Sequence, residues 1–300
     1  SITEQHLYSN YLEMWMVTRF PNWNITFRNV GIGGDRSTGG NSRFQRDVLP
    51  HKPTVMTVDF GMNDGGYGGF NTNGFHAYTN GLQGMATQAN SNGIRVAWVT
   101  PQPIEKAEDG PAITGYNETL QRFSEEGVKA IAAANNGAFV DQFHPYLQVM
   151  EKARAADPKK RVTGGDAVHP GPPGQSLMAA SILKALKFPS LVSSAEVNAA
   201  KLEVVKAQQC QIKDVAAGAD GGIQFNRLDA ALPFFPAPAR SMLEWAPILE
   251  ELNDYRLTVT GLKPGQYEVK LGGKKVAECA DTALAAGVNL ASTALTNGPV

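Results

Sequence analysis

Short apolar runs alternate with amphipathic stretches over roughly the first 190 residues, and this alternation restricts the fold more than any other feature. The predicted strands cover residues 25–30, 54–60, 94–100 and 138–142. The predicted helices, whose apolar side chains recur three or four positions apart, cover residues 7–20, 78–90, 116–134 and 174–186. Strands and helices in this order form a doubly wound parallel sheet that binds ligands beyond the carboxyl ends of its strands. The sequence therefore predicts an α/β unit with functional loops at that edge.

The pattern changes after about Ser193. Residues 255–260 and 266–271 each alternate between apolar and polar side chains, and a turn with glycine and proline separates them, which predicts a β-hairpin. Residues 281–300 have no pattern that favours helix or strand. We therefore divide the chain into an α/β domain over residues 1–190 and a smaller, β-rich accessory region over residues 191–300.

The two ends of the sequence bear on this division. An open α/β sheet usually begins with a buried strand, whereas this sequence begins at Ser1 and enters a helix almost at once. We expect the first strand of the sheet to precede Ser1. We also expect the C-terminal region to be incomplete, because its last residues do not end a recognisable element.

Charge and cysteine content argue against several functional classes. The formal net charge is -1 with acidic and basic residues interleaved, so the basic surface that nucleic acid or an anionic membrane would require is missing. Cys210 and Cys279 are too few for a disulfide scaffold and too far apart for a metal knuckle, although a bridge between them stays open. No apolar run reaches the roughly 20 residues that cross a bilayer. No signal peptide is recognisable, and localisation stays open, with a secreted or periplasmic protein as the expectation.

A carboxylate and an imidazole lie three residues apart in a loop rich in glycine and proline. Asp166 and His169 fall within residues 164–174, directly before the last predicted helix of the α/β domain. In this spacing the carboxylate can bond Nδ1 and leave Nε2 facing the ligand edge, as a general base requires. An isolated Asp-x-x-His motif is more often part of a surface turn. Its value as evidence for a catalytic site therefore depends on the residues that accompany it.

Two further positions suit the stabilisation of an oxyanion. Asn63 follows a predicted buried strand, which places its amide at the ligand edge as a neutral donor, although asparagine is also common in such turns. Gly34 lies in a glycine-rich turn, where a backbone N–H can approach a substrate without a Cβ in the way. We interpret Asp64 as structural, because a second carboxylate there would oppose a developing negative charge. Neither a G-x-G-x-x-G spacing nor a P-loop lysine occurs, so no nucleotide cofactor is predicted.

Taken in order, these segments resemble the sequence blocks of the SGNH, or GDSL-type, serine hydrolases. The resemblance covers roughly residues 1–190 and rests on Ser1-Ile-Thr, Asn29-Val-Gly-Ile-Gly-Gly-Asp, Gly61-Met-Asn-Asp and Asp166-Ala-Val-His. It implies a flavodoxin-like three-layer α/β/α sandwich and a carboxylic ester hydrolase. The site residues that it implies are a catalytic triad of Ser1, Asp166 and His169, and an oxyanion hole formed by Gly34, Asn63 and the serine amide.

One part of the family pattern is missing. The Gly-Asp pair that precedes the block serine is not in the sequence, and Ser1 would carry an ammonium where the oxyanion hole needs an amide N–H. A catalytically silent module that keeps the SGNH fold and binds carbohydrate is therefore an alternative.

Other hydrolase classes fit the sequence less well. An N-terminal-nucleophile hydrolase would use the amine of Ser1 as its base but would leave Asp166 and His169 unexplained. An α/β-hydrolase needs a G-x-S-x-G elbow, which does not occur. A dinuclear metallophosphatase would draw on side chains of ligand type, but no D-x-H or H-E-x-x-H pair is present among Asn63, Asp64, His144, Asp166 and His169.

Hydrolysis of an ester on a carbohydrate is the activity that we expect. The partner implied by the resemblance is a small-molecule or glycan ester, with an acetyl or other acyl group on a sugar as the first choice. Lipase or general short-chain carboxylesterase activity is the alternative. No cofactor and no metal are expected, and His6 is a candidate for the cleft beside Ser1.

Overall fold

The computed structural model describes residues 1–105, 115–218 and 221–297. The described chain forms two compact units. The first unit comprises the segments Ser1–Leu12, Ile25–Phe188 and Pro236–Ala246, and the second comprises the remaining described residues. All of the predicted site residues lie in the first unit.

A parallel three-stranded sheet is the framework of the first unit. Its strands are β1 (Val55–Asp59), β2 (Arg95–Val99) and β3 (Ala138–Val140), hydrogen-bonded in the order β1-β2-β3. The central strand β2 is buried from Val96 to Val99, as expected for an apolar strand with both faces covered. The strands predicted at 54–60, 94–100 and 138–142 are confirmed, and so is the parallel α/β fold class.

The strand predicted at residues 25–30 is wrong. The segment pairs with no strand in the described chain, and Ile25 is exposed. Its β-prone side chains favour an extended backbone, but a strand exists only where a neighbour bonds its N–H and C=O groups. The carbonyl of Val30 instead accepts from the guanidinium of Arg43, at 2.7 Å.

Helices cover both faces of this sheet in a three-layer α/β/α sandwich. They are α1 (Leu7–Arg19), whose second half belongs to the second unit, α2 (Ser37–Asp47), α3 (Thr72–Ser91), α4 (Tyr116–Arg122), α5 (Lys129–Ala134), α6 (Phe143–Ala156) and α7 (Pro172–Ala185). A π-helical turn, Phe123–Val128, joins α4 to α5, so the stretch 116–134 is helical throughout. The four predicted helices are confirmed, whereas the sequence patterns miss α2 and α6.

Two apolar clusters fix the sheet and the loops that follow it. The larger packs α3 and the π-helical turn against β1 and β2, and its fully buried members include Tyr78, Leu82, Trp98 and Phe123. The smaller consists of Ile104, Tyr116, Leu120, Phe143 and Leu147, with Met62 and Val168 packed against it. Because Met62 and Val168 belong to the predicted site loops, the smaller cluster anchors those loops to the fold.

The second unit is rich in β-structure, as predicted for the region after residue 193. Its strands are β4 (Leu191–Asn198), β5 (Glu203–Gln208), β6 (Cys210–Ala217), β7 (Ile223–Asp229), β8 (Asp254–Thr260), β9 (Gln266–Leu271), β10 (Lys274–Ala280) and β11 (Val288–Asn289). Its separate helices are α8 (Ile248–Leu252), α9 (Asp281–Ala286) and α10 (Ala291–Asn297). Four strands form a sheet in the order β11-β8-β4-β5, and the other four form the antiparallel pairs β6 with β7 and β9 with β10.

The hairpin predicted over residues 255–271 is wrong in its pairing. Both strands exist, as β8 and β9, but β8 pairs with β4 and β11 whereas β9 pairs with β10. Gly272 and Gly273 join β9 to β10 with φ values of 56° and 81°. A two-residue turn with positive φ at both positions matches the twist of antiparallel strands, so β9 folds forward onto β10.

The described residues bear on the two cysteines, whose pairing composition leaves open, and on membrane crossing. Cys210 and Cys279 are both free thiols, so no bridge joins them. Over residues 1–105, 115–218 and 221–297, no helix has the length and apolarity that crossing a membrane requires.

Candidate active site

The loop after residue 163 holds the side chains of Asp166 and His169 together. His169 Nδ1 lies 3.0 Å from Asp166 Oδ2, and Asp166 Oδ1 accepts from the amides of Val168 and His169, each at 2.7 Å. The bond from the His169 amide leads the contacts that lower the pKa of Asp166 to about 2. A carboxylate with this pKa carries no proton near neutrality, so the proton of the shared bond resides on Nδ1 and Nε2 is the free nitrogen.

Gly165 allows this loop to turn back on itself. Gly164 and Gly165 both have left-handed backbones, with φ values of 69° and 68°. A Cβ on Gly165 would lie 2.0 Å from the carbonyl oxygen of His169, which also accepts from the Asp166 amide at 3.2 Å. Only glycine fits at a backbone approach this close. The turn brings residue 166 opposite residue 169.

The loop that follows β2 supports the same segment. The buried carboxylate of Glu105 accepts from the amides of residues 162 and 163, at 3.0 and 2.9 Å, and the Glu105 amide donates to Ala167 O at 2.9 Å. Gln102 Nε2 donates to Val168 O at 3.3 Å. These bonds connect the Asp166–His169 loop to the segment that follows the central strand.

A buried glutamine joins the loop to the start of the chain. Gln175, in the first turn of α7, donates through Nε2 to Pro170 O at 3.0 Å and to Gln5 Oε1 at 2.6 Å. Its Oε1 accepts from a backbone amide in the first turn of α1, at 3.0 Å. The Gln5 amide donates to Ser1 O at 3.2 Å. Since Pro170 directly follows His169, one side chain holds the two segments at the same edge of the unit.

Ser1 bonds within its own segment. Its Oγ accepts from the Glu4 amide at 3.3 Å. A Cβ on Gly33 would lie 3.5 Å from Ser1 N, so the glycine-rich turn borders the serine. Among the described residues no hydrogen bond joins Ser1 to His169, whose Nε2 is unbonded and whose side chain is 43% exposed. The two segments are neighbours, but the hydroxyl and the imidazole are not bonded to each other.

The amide of Asn63 is oriented from two sides. Its Nδ2 donates to Asp35 O at 3.0 Å, and because a carbonyl only accepts, this bond identifies the nitrogen end of the amide. The hydroxyl of Tyr67 donates to Asn63 Oδ1 at 2.7 Å. Nothing in the described part of the chain accepts from the second hydrogen of Nδ2. Asn63 therefore keeps one neutral donor for a ligand.

Gly34 is the second candidate donor that the sequence predicts. It lies in a turn in which Asp35 N donates to Ile32 O at 3.3 Å, and its φ is 71°. A Cβ on Gly34 would meet nothing within 4 Å, and its N–H has no hydrogen-bond partner within the described ranges. The bond from Asn63 Nδ2 to Asp35 O, at 3.0 Å, connects the turn of Gly34 to the loop of Asn63.

Asp64 has the structural role expected from the sequence. Its Oδ1 accepts from the amide and the hydroxyl of Ser37 at 2.9 and 2.7 Å, and its Oδ2 accepts from Gly61 N at 3.1 Å. Burial raises the pKa of Asp64 despite these bonds. The carboxylate therefore holds the start of α2 against the turn that contains Asn63.

The sequence reasoning missed several residues at this edge, among them Gln102, Glu105, Gln175 and Tyr67. A glutamine that bonds across more than 60 positions leaves no periodic signal, so only the fold reveals it. Tyr67 did leave a signal, since a lone aromatic residue within four glycines is unusual. In the described residues, no group of three or more His, Cys, Asp or Glu side chains could hold a metal ion.

An imidazole bonded to a carboxylate and neutral amide donors are the groups that ester and acyl hydrolases use. The sequence matches the GDSL-like lipase/acylhydrolase family over residues 1–177. The chain belongs to this family.

Solved structures agree with the assignment. A gut microbial diltiazem-metabolizing enzyme is similar with a TM-score of 0.83 and 30% identity, and the match covers 98% of this chain and 71% of that one. Axe2, an acetylxylan esterase from Geobacillus stearothermophilus, is similar in fold, with a TM-score of 0.51 and 23% identity over 61% of this chain and 81% of that one. No curated protein matches the sequence.

Proposed function

We propose that this chain is a serine esterase whose triad is Ser1, His169 and Asp166. One observation supports the proposal most strongly: His169 is bonded through Nδ1 to an ionised carboxylate, while its Nε2 has no hydrogen-bond partner among the described residues, at the edge that Ser1 shares. A general base needs a fixed imidazole with one free basic nitrogen.

The mechanism follows from these roles. His169 Nε2 takes the proton of Ser1 Oγ as the oxygen attacks the ester carbonyl carbon, and the carbonyl oxygen becomes an oxyanion. The Gly34 amide and Asn63 Nδ2 donate to that oxyanion. His169 then gives its proton to the departing alcohol. Water, activated by the same imidazole, attacks the acyl-serine, releases the acid and restores Ser1.

The spacing of Asp166 and His169 has a parallel in Axe2. Matched structures include catalytic mutants of that esterase in which a serine, an aspartate or a histidine is replaced by alanine. The aspartate and the histidine of Axe2 are three positions apart, as Asp166 and His169 are. This agreement supports the same division of roles here.

We propose an acetyl or other short acyl ester, first of all on a carbohydrate, as the substrate. Axe2 is described as an acetylxylan esterase, and the gut microbial enzyme as one that metabolizes diltiazem. The side chains of His169 and Asp166 are 43% and 66% exposed. A site this open can admit an acyl group that is attached to a large molecule.

The test is ester hydrolysis combined with active-site labelling. The wild-type protein, expressed with any residues that its gene encodes before Ser1, is assayed with p-nitrophenyl acetate beside Ser1→Ala, His169→Ala and the control Ser42→Ala. Ser42 is an exposed serine on α2. We expect Ser1→Ala and His169→Ala to lose at least about a thousandfold in kcat, and a fluorophosphonate probe to label Ser1 in the wild type. Turnover that survives both substitutions would refute the triad.

The alternatives give different results in the same experiment. A silent carbohydrate-binding module would bind acetylated xylo-oligosaccharide in calorimetry without releasing acetate. A lipase would prefer p-nitrophenyl octanoate to the acetate ester. Loss of all activity on adding a chelator, with no probe adduct, would favour a metal-dependent hydrolase.

A further inference from the structure

Tyr67 has a backbone conformation that a tyrosine rarely adopts. It lies in the sequence Gly65-Gly-Tyr-Gly-Gly, between β1 and α3, with a φ of 60°. A bulky residue in the left-handed region is strained, and such strain persists only where the surrounding structure holds it, most often at functional sites. Glycine, which occupies the four flanking positions, would adopt this backbone conformation more easily. The identity of the side chain therefore needs a reason.

The contacts of the hydroxyl provide that reason. Tyr67 OH donates to Asn63 Oδ1 at 2.7 Å, on the opposite side of the amide from the bond between Asn63 Nδ2 and Asp35 O. Together the two bonds hold the amide plane and aim the remaining Nδ2 hydrogen. Donation to the oxygen also polarises the amide, which strengthens the N–H as a donor.

Helix α4 holds the ring of Tyr67 and the loop around it. The ring lies against Tyr116 with centroids 5.2 Å apart, and the Tyr116 hydroxyl bonds to the carbonyl of Met62, the residue before Asn63. Thr119 Oγ1 donates to Gly68 O at 2.9 Å. Tyr67 is nevertheless 50% exposed, so its ring is also part of the open edge.

The hydroxyl keeps its proton under assay conditions. Partial burial raises the pKa of Tyr67, and the negative charge of Asp166 raises it further, while Arg36 acts in the opposite direction. A neutral hydroxyl can donate to Asn63 across the whole range in which an esterase is assayed.

We propose that Tyr67 is a positioning residue of the oxyanion hole, which acts through Asn63 and not on the substrate itself. The inference rests on the proposed function, because it assumes that Asn63 stabilises the oxyanion. The strained backbone at residue 67 is the means by which the loop delivers a hydroxyl to an amide four residues earlier in the chain.

A double-mutant cycle tests the proposal. The proteins are wild type, Tyr67→Phe, Asn63→Ala and the double variant, with Tyr267→Phe as the control for loss of a hydroxyl that bonds a backbone carbonyl elsewhere. We expect Asn63→Ala to lower kcat about a hundred- to a thousandfold. Tyr67→Phe keeps the ring and should lower kcat about tenfold with little change in KM or in Tm. In the Asn63→Ala background the same substitution should have no effect on kcat.

The outcomes separate the positioning role of Tyr67 from the esterase proposal. Equal losses from Tyr67→Phe in both backgrounds, or no loss in the wild-type background, would overturn the positioning role while leaving the esterase proposal intact. If Asn63→Ala itself keeps full activity, the assignment of the oxyanion hole fails, and the role of Tyr67 fails with it.

Discussion

The first unit contains the pattern Asp-x-x-His twice, and the two copies differ in the partner of the second imidazole nitrogen. Asp141 and His144 lie three residues apart, as Asp166 and His169 do. In each copy the imidazole Nδ1 bonds the aspartate, at 2.8 and 3.0 Å, and the histidine amide also donates to that carboxylate. Local geometry therefore does not separate the proposed catalytic pair from the other one.

The difference lies in the second imidazole nitrogen. His144 Nε2 is 3.0 Å from Glu125 Oε1, so both of its nitrogens are bonded to carboxylates. Burial lowers the pKa of His144, but Asp141 and Glu125 raise it by more, and the net pKa is raised. His169 Nε2, in contrast, has no partner among the described residues. A pair of this kind can act as a base only where the second nitrogen is left open.

The largest expected effect separates the two histidines. His169→Ala should lower kcat for p-nitrophenyl acetate by about a thousand- to ten-thousandfold, because it removes the base that we propose for Ser1. His144→Ala is the matched control and should stay within roughly twofold of wild type, since its imidazole is committed to two carboxylates. Equal loss of kcat in the two variants, with both still folded by circular dichroism, would contradict the proposed difference between His169 and His144.

Substitution of Asp166 should lower kcat more than substitution of Asp141, with a smaller difference than between the two histidines. Asp166→Asn weakens the hold on the His169 imidazole and should lower kcat about a hundredfold, with part of the role taken over by water because Asp166 is exposed. Asp141→Asn should leave kcat unchanged. Steady-state kinetics on both variants would check this, and a full wild-type rate for Asp166→Asn would contradict the assigned role.

Disruption of the hydrogen bonds by which Gln175 joins the His169 loop to the start of the chain should have a third, smaller effect on kcat. In Gln175→Glu, Oε1 can still accept from α1, but the second oxygen faces Pro170 O and Gln5 Oε1 with no hydrogen between them. We expect kcat to fall about tenfold and the free energy of unfolding to fall by about 1–3 kcal/mol. The exposed Gln83→Glu is the control, and urea unfolding beside the kinetics is the measurement. An unchanged kcat would mean that the link is not needed for catalysis.

The smallest effect concerns stability and pH. The raised pKa of folded His144 means that its charged form stabilises the fold fully below the unfolded pKa of about 6.5, and that this stability is lost as pH rises through the folded pKa. His144→Gln should therefore lower the free energy of unfolding by about 0.2–1 kcal/mol near pH 5 and by less near pH 8.5, a range typical of pairs this exposed. A deficit that grows with pH would contradict this assignment.

Much of the first unit could be predicted because its signals are local. The valine-rich runs at β1 and β2 and the helical spacing of α1 and α7 appear within short windows of sequence. The candidate site residues Asn63, Asp166 and Gly34 were chosen by the same logic, since each lies directly after a predicted strand or in a glycine turn, and their roles stay predictions. The family resemblance then connected them.

The errors arise where partners are distant. Residues 25–30 have strand-forming side chains, but no described strand pairs with them. The strands β8 and β9 were predicted correctly and paired wrongly, because a partner for β8 lies about 60 positions away in β4. His144 Nε2 bonds Glu125, whereas His169 Nε2 has no partner among the described residues, and this difference depends on residues outside the four-residue pattern. A four-residue pattern cannot report it.

The loop around Tyr67 has a consequence for how this enzyme could diversify. Side chains added at Gly68 and Gly69 would meet nothing within 4 Å, whereas one added at Gly165 would collide with the backbone of His169. Natural variation in substrate preference can therefore accumulate beside the proposed oxyanion donors without disturbing the proposed base. A laboratory search for new ester specificities would begin at residues 68 and 69 and leave residue 165 untouched.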